Sequence, residues 1–342
     1  RTRETSTLHK RKHTMKRLIA FNVRPDERRF ITAYADSLDD LELVCLADPL
    51  TLDTVDRVSG FDGVSTIGSP LDRDLLQALK DRGISHVASR SIGYDNIDVE
   101  AAAQVGVHVS NVHYSPGSVA EYALMLILMT LRSANLILRR TDLQDFSIEG
   151  DHGRELRNLT VGIIGTGRIG ATLATYLGGI GCTVIGYDPY PNPNAPLEQV
   201  SLNELLDRAD VISLHAMTTP ENHHMLDAAA FARMREGVII VNCSRGELID
   251  SRALIDALES GKVGGAALDV IEGDEPIFHR DWQLKPVVNE QLQLLRSFPN
   301  VIVTPHVAFY TLDVVNEMVT CAVDCMREFW ATGTSTHEVT AH

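Results

Sequence analysis

VGIIGTGRIG, residues 161–170, joins an apolar run typical of a buried strand to the pattern G-x-G-x-x-G. Gly165 permits a tight turn, Gly167 lets the backbone approach an anionic ligand, and Gly170 lets a helix pack closely on the strand. A helix-compatible segment, residues 168–179, follows directly. A helix N-terminus favours a pyrophosphate because its free N–H groups and its dipole attract negative charge. This stretch therefore predicts a turn that binds a dinucleotide.

An acidic residue, Asp188, lies at the position where a dinucleotide-binding fold needs a carboxylate. The β-branched run Thr183-Val184-Ile185 predicts a second strand, and it ends at Tyr187-Asp188. A carboxylate about 20 residues after the glycine turn is placed to accept hydrogen bonds from a ribose 2′-hydroxyl. The same carboxylate would repel a 2′-phosphate, so we expect NAD(H) to be favoured over NADP(H).

Composition and charge limit the class of protein. The chain has 342 residues, of which 44% are hydrophobic and 23% charged, and its length predicts two globular domains. A formal charge of −15 argues against a nucleic-acid partner and gives no reason to expect attraction to an anionic membrane. The longest apolar stretch, residues 122–131, suits a buried helix and is too short to span a bilayer.

The N-terminus and the cysteines indicate the compartment. Residues 1–14 are basic and polar without an apolar segment, so we expect a disordered extension that binds nothing and is not a secretory signal. Five cysteines without C-x-x-C spacing fit reduced thiols in a cytoplasmic protein better than disulfides or a zinc site. No H-E-x-x-H or other ligand cluster predicts a metal site.

Short apolar runs alternate with helical patterns along most of the chain, which predicts an α/β fold with parallel sheets. A helix beginning at Ser115-Pro116 is apolar nearly all round and should be buried. The helix could be buried in the core of this chain or in an interface with a second subunit, and the sequence leaves both alternatives open. The expected strands are Leu18–Val23, Leu41–Leu46, Gly63–Ile67, His86–Ala88, Val107–Val109, Thr183–Tyr187, Val211–Leu214, Val238–Asn242, Gly265–Asp269 and Val301–Thr304.

Three segments at the ends of expected strands carry reactive side chains. Arg245 lies in a short loop before a glycine, where its fork can bind a carboxylate. An acidic run, residues 269–275, follows another strand, and His306 follows a strand-terminal proline, which suits proton transfer near neutral pH. In each case a surface position is the ordinary alternative. Another pair, His223-His224, lies in a polar loop and is expected to be solvated.

Taken together, an Arg, an acid and a His on a NAD domain make a coherent set for reducing a ketoacid to a hydroxy acid. The Arg would fix the carboxylate, the acid would keep the His protonated, and the His would protonate the carbonyl oxygen as hydride arrives. A serine hydrolase is disfavoured because no G-x-S-x-G occurs.

Several motifs in fixed order resemble those of the D-isomer-specific 2-hydroxyacid dehydrogenases, from about residue 16 to the C-terminus. Within that family the chain is most similar to D-lactate dehydrogenases of the vancomycin-resistance type. The matching stretches are SRSIGYDNID at 89–98, NVHYSPGSVAEY at 111–122, RELRNLTVGIIGTG at 154–167 and VTPHVAFYT at 303–311, together with Glu272-Gly273, Ile277-Phe278 and Asp281-Trp282.

The resemblance implies a Rossmann-type NAD domain, residues 113–308, inserted into a flavodoxin-like parallel-sheet substrate domain of residues 15–112 and 309–342. It implies NADH-dependent reduction of a short 2-ketoacid, pyruvate, to D-lactate, in a homodimer. Alternatives are a dehydrogenase for a larger acid, such as hydroxyisocaproate or phenyllactate, and more remotely an NADH-sensing binding protein without turnover. The sequence does not distinguish a role in antibiotic resistance from one in fermentation.

Site residues follow from the same resemblance, position by position. Arg245 would bind the carboxylate and His306 would be the general acid. The backbone N–H groups of Ser91, Ile92 and Gly93 would bind the substrate carboxylate, and Tyr114, Phe309 and Tyr310 would shape the pocket. The residues expected to contact the cofactor are Gly165, Gly167, Arg168, Ile169, Gly170, Asp188, Ala216, Met217, Asn222, Cys243, Ser244 and Asp269.

Two positions depart from the family pattern. The His-orienting Glu lies five residues after the strand-end Asp in the family, where this chain has Asp274 followed by Glu275. Spacing favours Asp274, whereas side-chain length and the following proline favour Glu275. Ala216-Met217 replaces a common Val-Pro beside the cofactor, which should change affinity more than mechanism.

Overall fold

The computed structural model describes residues 15–149 and 152–340, so the extension expected at 1–14 lies outside the described residues. The chain divides into two compact units. The first ends at Ser115 and resumes at Thr311, and the second is Pro116–Tyr310.

The first unit is built on a five-stranded parallel sheet with the order β2-β1-β3-β4-β5, the order of flavodoxin-like folds. The strands are β1 Lys16–Ala20, β2 Leu41–Cys45, β3 Gly63–Thr66, β4 His86–Ser89 and β5 His108–Ser110. The helices are α1 Pro25–Asp36, α2 Arg73–Asp81, α3 Val99–Val105 and, from the returning C-terminal segment, α11 Leu312–Thr332.

Contacts across the first unit explain why the C-terminal helix returns to it. A Cβ at Gly63 would lie 3.1 Å from the ring of Trp330, so this strand position must be glycine for α11 to pack. His86 of β4 stacks on Phe329 at 4.4 Å between ring centroids. Burial lowers the pKa of His86 to about 3, so the ring is neutral at physiological pH.

The second unit contains a seven-stranded parallel sheet with the order β12-β11-β10-β9-β6-β7-β8. From the central strand β6, the chain first adds β7 and β8 on one side and then adds β9 to β12 on the other side. In doubly wound folds, ligands bind at the point between β6 and β9 where this direction switches. The strands are β6 Thr160–Ile164, β7 Thr183–Tyr187, β8 Glu198–Gln199, β9 Val211–Leu214, β10 Val238–Asn242, β11 Val263–Leu268 and β12 Val301–Val303. The helices are α4 Gly117–Leu131, α5 Ala134–Asp142, α6 Arg168–Ile180, α7 Leu202–Arg208, α8 Ala228–Arg233, α9 Ser251–Glu259 and α10 Glu290–Ser297.

These two parallel sheets confirm the predicted fold class. Each expected strand is present with its ends within three residues of the expected bounds. Among the strands of the described residues, β8 alone has no counterpart in the prediction, because it consists of two polar residues at the edge of the sheet.

The helix expected at Ser115-Pro116 is α4, and it is not buried all round. Six of its apolar residues are buried, including Leu126 and Ile127, whereas Met125 and Leu128 are about 40% exposed. Its exposed face continues into α5, which contains no buried residue. No single helix among the described residues is long and apolar enough to cross a membrane, and only α4 and α5 taken together, bent by 65°, have that length and composition.

Candidate active site

The glycine turn after β6 has the geometry that a dinucleotide requires. Gly165 has φ +92°, and a Cβ there would lie 2.6 Å from the backbone nitrogen of Ala216. Gly167 is the N-cap of α6 and faces open space, so no capping side chain covers the N–H groups of the first helical turn. A Cβ at Gly170 would overlap the carbonyl oxygen of Gly165 and lie 3.1 Å from Ile163, so glycine is what lets α6 pack on β6.

Asp188 lies at the carboxyl end of β7, beside this turn. Its two carboxylate oxygens accept backbone hydrogen bonds from Thr166 at 2.8 Å and from Tyr190 at 2.9 Å. A carboxylate has about four lone-pair positions, so two remain for a ribose diol. The open helix N-terminus and this oriented acid fit a dinucleotide whose ribose carries a free 2′-hydroxyl.

Residues expected at the cofactor wall are held by local hydrogen bonds. Ser244 donates its hydroxyl to the carbonyl of Ala216. Asn222 accepts from the N–H of Thr219 at 2.7 Å and donates to the carbonyl of Met217 at 2.8 Å, which closes the loop after β9. Cys243 is buried, and burial raises the pKa of its thiol well above its usual value, so it stays protonated. Of the other expected residues, Arg168 is exposed at the start of α6 and Ile169 is half-buried.

Arg245 is presented by a loop that Asn242 shapes. The side-chain amide of Asn242 donates to the carbonyl of Arg245 at 2.8 Å, and its oxygen accepts from the N–H of Ser244 at 3.0 Å. A Cβ at the next residue, Gly246, would overlap the backbone of Ile271, so glycine allows the Arg245 loop to lie against the acidic loop. The role of Asn242 is absent from the sequence analysis, although a buried Asn ending an apolar strand is a visible signal.

Asp269 organises the turn that carries His306. It is fully buried, and its carboxylate accepts hydrogen bonds from the hydroxyl of Thr304 at 2.6 Å, the N–H of Val307 at 3.0 Å and the N–H of Ala308 at 2.8 Å. Its carbonyl accepts from the N–H of His306 at 2.7 Å. Burial raises the pKa of Asp269 in spite of these bonds. Asp269, expected at the cofactor, is thus engaged on both carboxylate oxygens by the His306 turn.

His306 has φ +53°, a left-handed conformation that is uncommon outside glycine. Burial, followed by the charges of Arg245 and His279, lowers its pKa to about 4. The ring of Phe309 lies 6.2 Å from the His306 ring, centroid to centroid, with an interplanar angle of 88°. His279, which sequence reasoning did not single out, hydrogen-bonds through Nε2 to the carbonyl of His306 at 3.0 Å. Its signal was weak because it lies in the irregular stretch after the acidic loop.

The two candidate acids differ in their surroundings. Asp274 accepts a hydrogen bond from the N–H of Ile271 at 3.0 Å, and burial raises the pKa of Asp274 to about 6. Arg245 acts in the opposite direction and lowers the pKa of Asp274, so Arg245 influences both Asp274 and His306. Glu275 is exposed. Within residues 15–149 and 152–340, no hydrogen bond joins the His306 ring to either acid, so the identity of its partner stays a prediction.

In the first unit, the expected substrate loop follows β4. The hydroxyl of Ser91 donates to the carbonyl of Gly93 at 2.7 Å, and the amide of Asn111 donates to the carbonyl of Ile92 at 2.8 Å. Among the described residues, none accepts a hydrogen bond from the N–H groups of Ser91, Ile92 and Gly93. Successive free N–H groups form an anion-binding concavity. Tyr114 is half-buried just before the end of this segment.

Comparison with known proteins places the chain in one family. Residues 124–308 match the family model for the NAD-binding domain of D-isomer specific 2-hydroxyacid dehydrogenases. The chain is 40% identical over 327 residues to an aromatic 2-oxoacid reductase of Clostridium sporogenes, covering 93% of this chain and 97% of that protein. It is 39% identical over 328 residues to a D-lactate dehydrogenase of Lactiplantibacillus plantarum, covering 94% and 99%.

Solved structures agree with these relatives. A D-lactate dehydrogenase of Treponema pallidum superposes with a TM-score of 0.85 at 33% identity, and a D-2-hydroxyisocaproate dehydrogenase with a TM-score of 0.85 at 32% identity. Each alignment covers 95% of this chain and 100% of the other. The chain belongs to the D-isomer-specific 2-hydroxyacid dehydrogenases, and it is an NAD-dependent enzyme of that family.

Proposed function

We propose that this enzyme reduces pyruvate to D-lactate with NADH. The observation that carries the proposal is the grouping of Arg245 and His306 in the second unit, close enough for the guanidinium charge to lower the pKa of His306. A fixed cation that binds a carboxylate, beside an imidazole that can release a proton, is what reduction of a 2-ketoacid needs. The bound NADH supplies the hydride.

The charges of the site suggest how His306 becomes protonated. Without substrate, burial and Arg245 favour the neutral ring. A ketoacid carboxylate paired with Arg245 would offset the guanidinium charge and raise the pKa of His306. His306 would then hold the proton that it donates to the carbonyl oxygen. The negative charge of the substrate carboxylate thus favours the protonated form of His306, which then protonates the carbonyl oxygen of the substrate.

Asp274 is the stronger candidate for the partner of His306. Its carboxyl group is largely buried and feels the same Arg245, whereas Glu275 is exposed. An ionised Asp274 near the imidazole would further stabilise the protonated ring. The resemblance assigns the N–H groups of Ser91 to Gly93 to the substrate carboxylate, and the lack of an acceptor for them among the described residues supports that assignment.

The aromatic residues after His306 favour a short substrate side chain. Phe309 stands edge-on to the His306 ring, and the Tyr310 ring lies 6.0 Å from Phe309. The Phe309 ring beside the proton donor, with Tyr310 against it, limits the room for a bulky group. The second candidate is a larger ketoacid, favoured because relatives of equal similarity include an aromatic 2-oxoacid reductase and a D-2-hydroxyisocaproate dehydrogenase.

A substrate panel tests the proposal. NADH oxidation is followed with pyruvate, 2-ketobutyrate, 2-ketoisocaproate and phenylpyruvate, and each assay is repeated with NADPH. We expect kcat/KM to be highest for pyruvate or 2-ketobutyrate and NADH to be preferred because Asp188 repels a 2′-phosphate. A higher kcat/KM for phenylpyruvate or 2-ketoisocaproate would select the second candidate. No turnover with any substrate would leave the NADH-sensing alternative.

We also propose that the enzyme is a cytoplasmic homodimer. The five cysteines are free thiols, as expected for a reducing compartment. In the second unit, α4, α5 and the following loop expose apolar side chains, among them Leu138 at 60%, Leu143 at 82% and Phe146 at 73%. Contiguous exposed apolar residues mark interaction surfaces, and a second copy of the chain is the partner that the family resemblance implies. The resemblance to the vancomycin-resistance type stays a prediction, since an antibiotic-resistance pathway and fermentation would use the same reaction.

A further inference from the structure

The loop after β9 and the acidic loop after β11 bring two imidazoles and a carboxylate together. The Nε2 atom of His224 lies 2.5 Å from Oε1 of Glu272, and the His223 ring lies 3.9 Å from the His224 ring, centroid to centroid. One ligand atom from each of the three residues lies within 4.8 Å of the other two. In the part of the chain that the structure describes, no other group of three His, Cys, Asp or Glu residues meets this condition.

From this arrangement we propose that His223, His224 and Glu272 bind a divalent metal ion of the Zn²⁺ class. Two imidazole nitrogens and one carboxylate oxygen, with a water in the fourth position, are a donor set that Zn²⁺ accepts. The site lies outside the group of residues assigned to the reaction.

The ligands are oriented by neighbouring backbone groups. The second carboxylate oxygen of Glu272 accepts a hydrogen bond from the N–H of Ser251 at 2.9 Å, which leaves Oε1 facing His224. The N–H of His224 donates to the carbonyl of Glu247 at 2.8 Å. The bond from Ser251 orients the Glu272 carboxylate, as outer contacts to metal ligands do, and the bond from His224 holds the backbone of its loop.

Little movement is needed to admit the ion. Two tetrahedral zinc ligands with bonds of about 2.0–2.1 Å lie about 3.3 Å apart. His224 and Glu272 would therefore separate by less than about 1 Å, and the metal would take the place of their hydrogen bond. His223 is exposed and can turn toward the ion without disturbing the core. A bound ion would connect the loop of Asn222 with the acidic loop that contains Asp274.

The test is a titration of chelator-treated protein with Zn²⁺ by calorimetry and with Co²⁺ by its visible absorption. We expect the wild type to bind one more equivalent than His223→Ala, with the absorption of Co²⁺ in a four-coordinate site. Glu272→Gln, which keeps an acceptor for Ser251, should weaken Zn²⁺ binding at this site by at least about tenfold. Because the ion binds the native state, Zn²⁺ should raise the Tm of the wild type more than that of His223→Ala.

The matched control is His337→Ala. His337 stacks on His113 at 4.1 Å between ring centroids, so this variant removes one ring of a similar histidine pair that belongs to no three-residue ligand group among the described residues. This variant should keep the metal stoichiometry of the wild type. Equal stoichiometry and affinity in the wild type, His223→Ala and Glu272→Gln would overturn the proposal and leave an ordinary His224–Glu272 ion pair. These readouts need no turnover, so the result is independent of the ketoacid reaction.

Discussion

At the residue scale, Arg245 has two proposed tasks that a substitution can separate. Its guanidinium can bind a carboxylate through two parallel N–H groups, and its charge lowers the pKa of His306. Lysine would keep the charge but lose the planar fork.

We expect Arg245→Ala to lower kcat/KM by at least about 10–150-fold, the equivalent of charged hydrogen bonds of about 1.5–3 kcal/mol. Arg245→Lys should recover part of the loss, and steady-state assays with pyruvate measure both. Near-normal kcat/KM in Arg245→Ala would show that another group binds the carboxylate.

The pH profile decides between the two candidate acids. The proposed reduction needs a protonated His306, so its rate should fall as pH rises through the pKa of His306 in the substrate complex. Removing a nearby negative charge lowers that pKa, and the alkaline limb of the profile should move to lower pH. We expect this shift in Asp274→Asn and little change in Glu275→Gln, measured as kcat against pH. The reverse result would assign the role to Glu275, and unchanged profiles in both variants would exclude both acids.

Residue types alone singled out Arg245, the acidic run and His306 as candidates, because each follows an apolar strand in the sequence. They did not identify what holds these residues in place. Asn242 shapes the Arg245 loop, and Asp269 takes hydrogen bonds from three residues more than 30 positions away. Such contacts depend on the parallel pairing of β10 with β11 and of β11 with β12, which a local pattern does not specify.

At the scale of the element, the packing of α6 on β6 sets the position of the nucleotide turn. Both Gly170 and Gly178 lie in α6. A Cβ added at Gly170 would overlap backbone atoms of the turn, whereas a Cβ added at Gly178 would have no other atom within 4 Å. The helix thus contains a sensitive position and a matched control.

Gly170→Ala should destabilise the protein by about 1–3 kcal/mol, because the methyl group forces α6 away from the turn. It should also raise the KM for NADH, since the first-turn N–H groups move with the helix. Gly178→Ala should leave the KM unchanged and stabilise the helix by up to about 1 kcal/mol, the difference in helix propensity. Denaturant unfolding and NADH titrations measure these effects, and equal behaviour of the two variants would contradict the packing argument.

The elements were largely predictable because β-branched runs and the glycine turn are local signals. The exceptions have physical reasons. The β8 strand is two residues long and polar, so no periodicity marks it. The sequence of α4 is apolar on most sides, but one sheet covers only one side of a helix, and Met125 and Leu128 stay exposed in a single chain.

For the whole molecule, these exposed residues bear on the state of assembly. The apolar surface begins on α4 and continues over Ile137, Leu138, Leu143 and Phe146. Burying it against a second copy would remove it from water, at about 25 cal/mol for each Å² of apolar surface. An interface of this kind repeats the same residues on both sides of a two-fold axis, so one substitution acts twice.

We expect the wild type to have the mass of a dimer by size-exclusion chromatography with light scattering. The double variant Leu138→Asp, Phe146→Asp should shift the mass toward that of a single chain, because each interface would bury four unpaired carboxylates. The matched control is Leu284→Asp, at a residue that is 98% exposed outside this surface, and it should leave the mass unchanged. A wild type with the mass of a single chain at every concentration would contradict the proposed dimer. A double variant that remained dimeric would place the interface on another surface and leave the exposed face of α4 and α5 for a different partner.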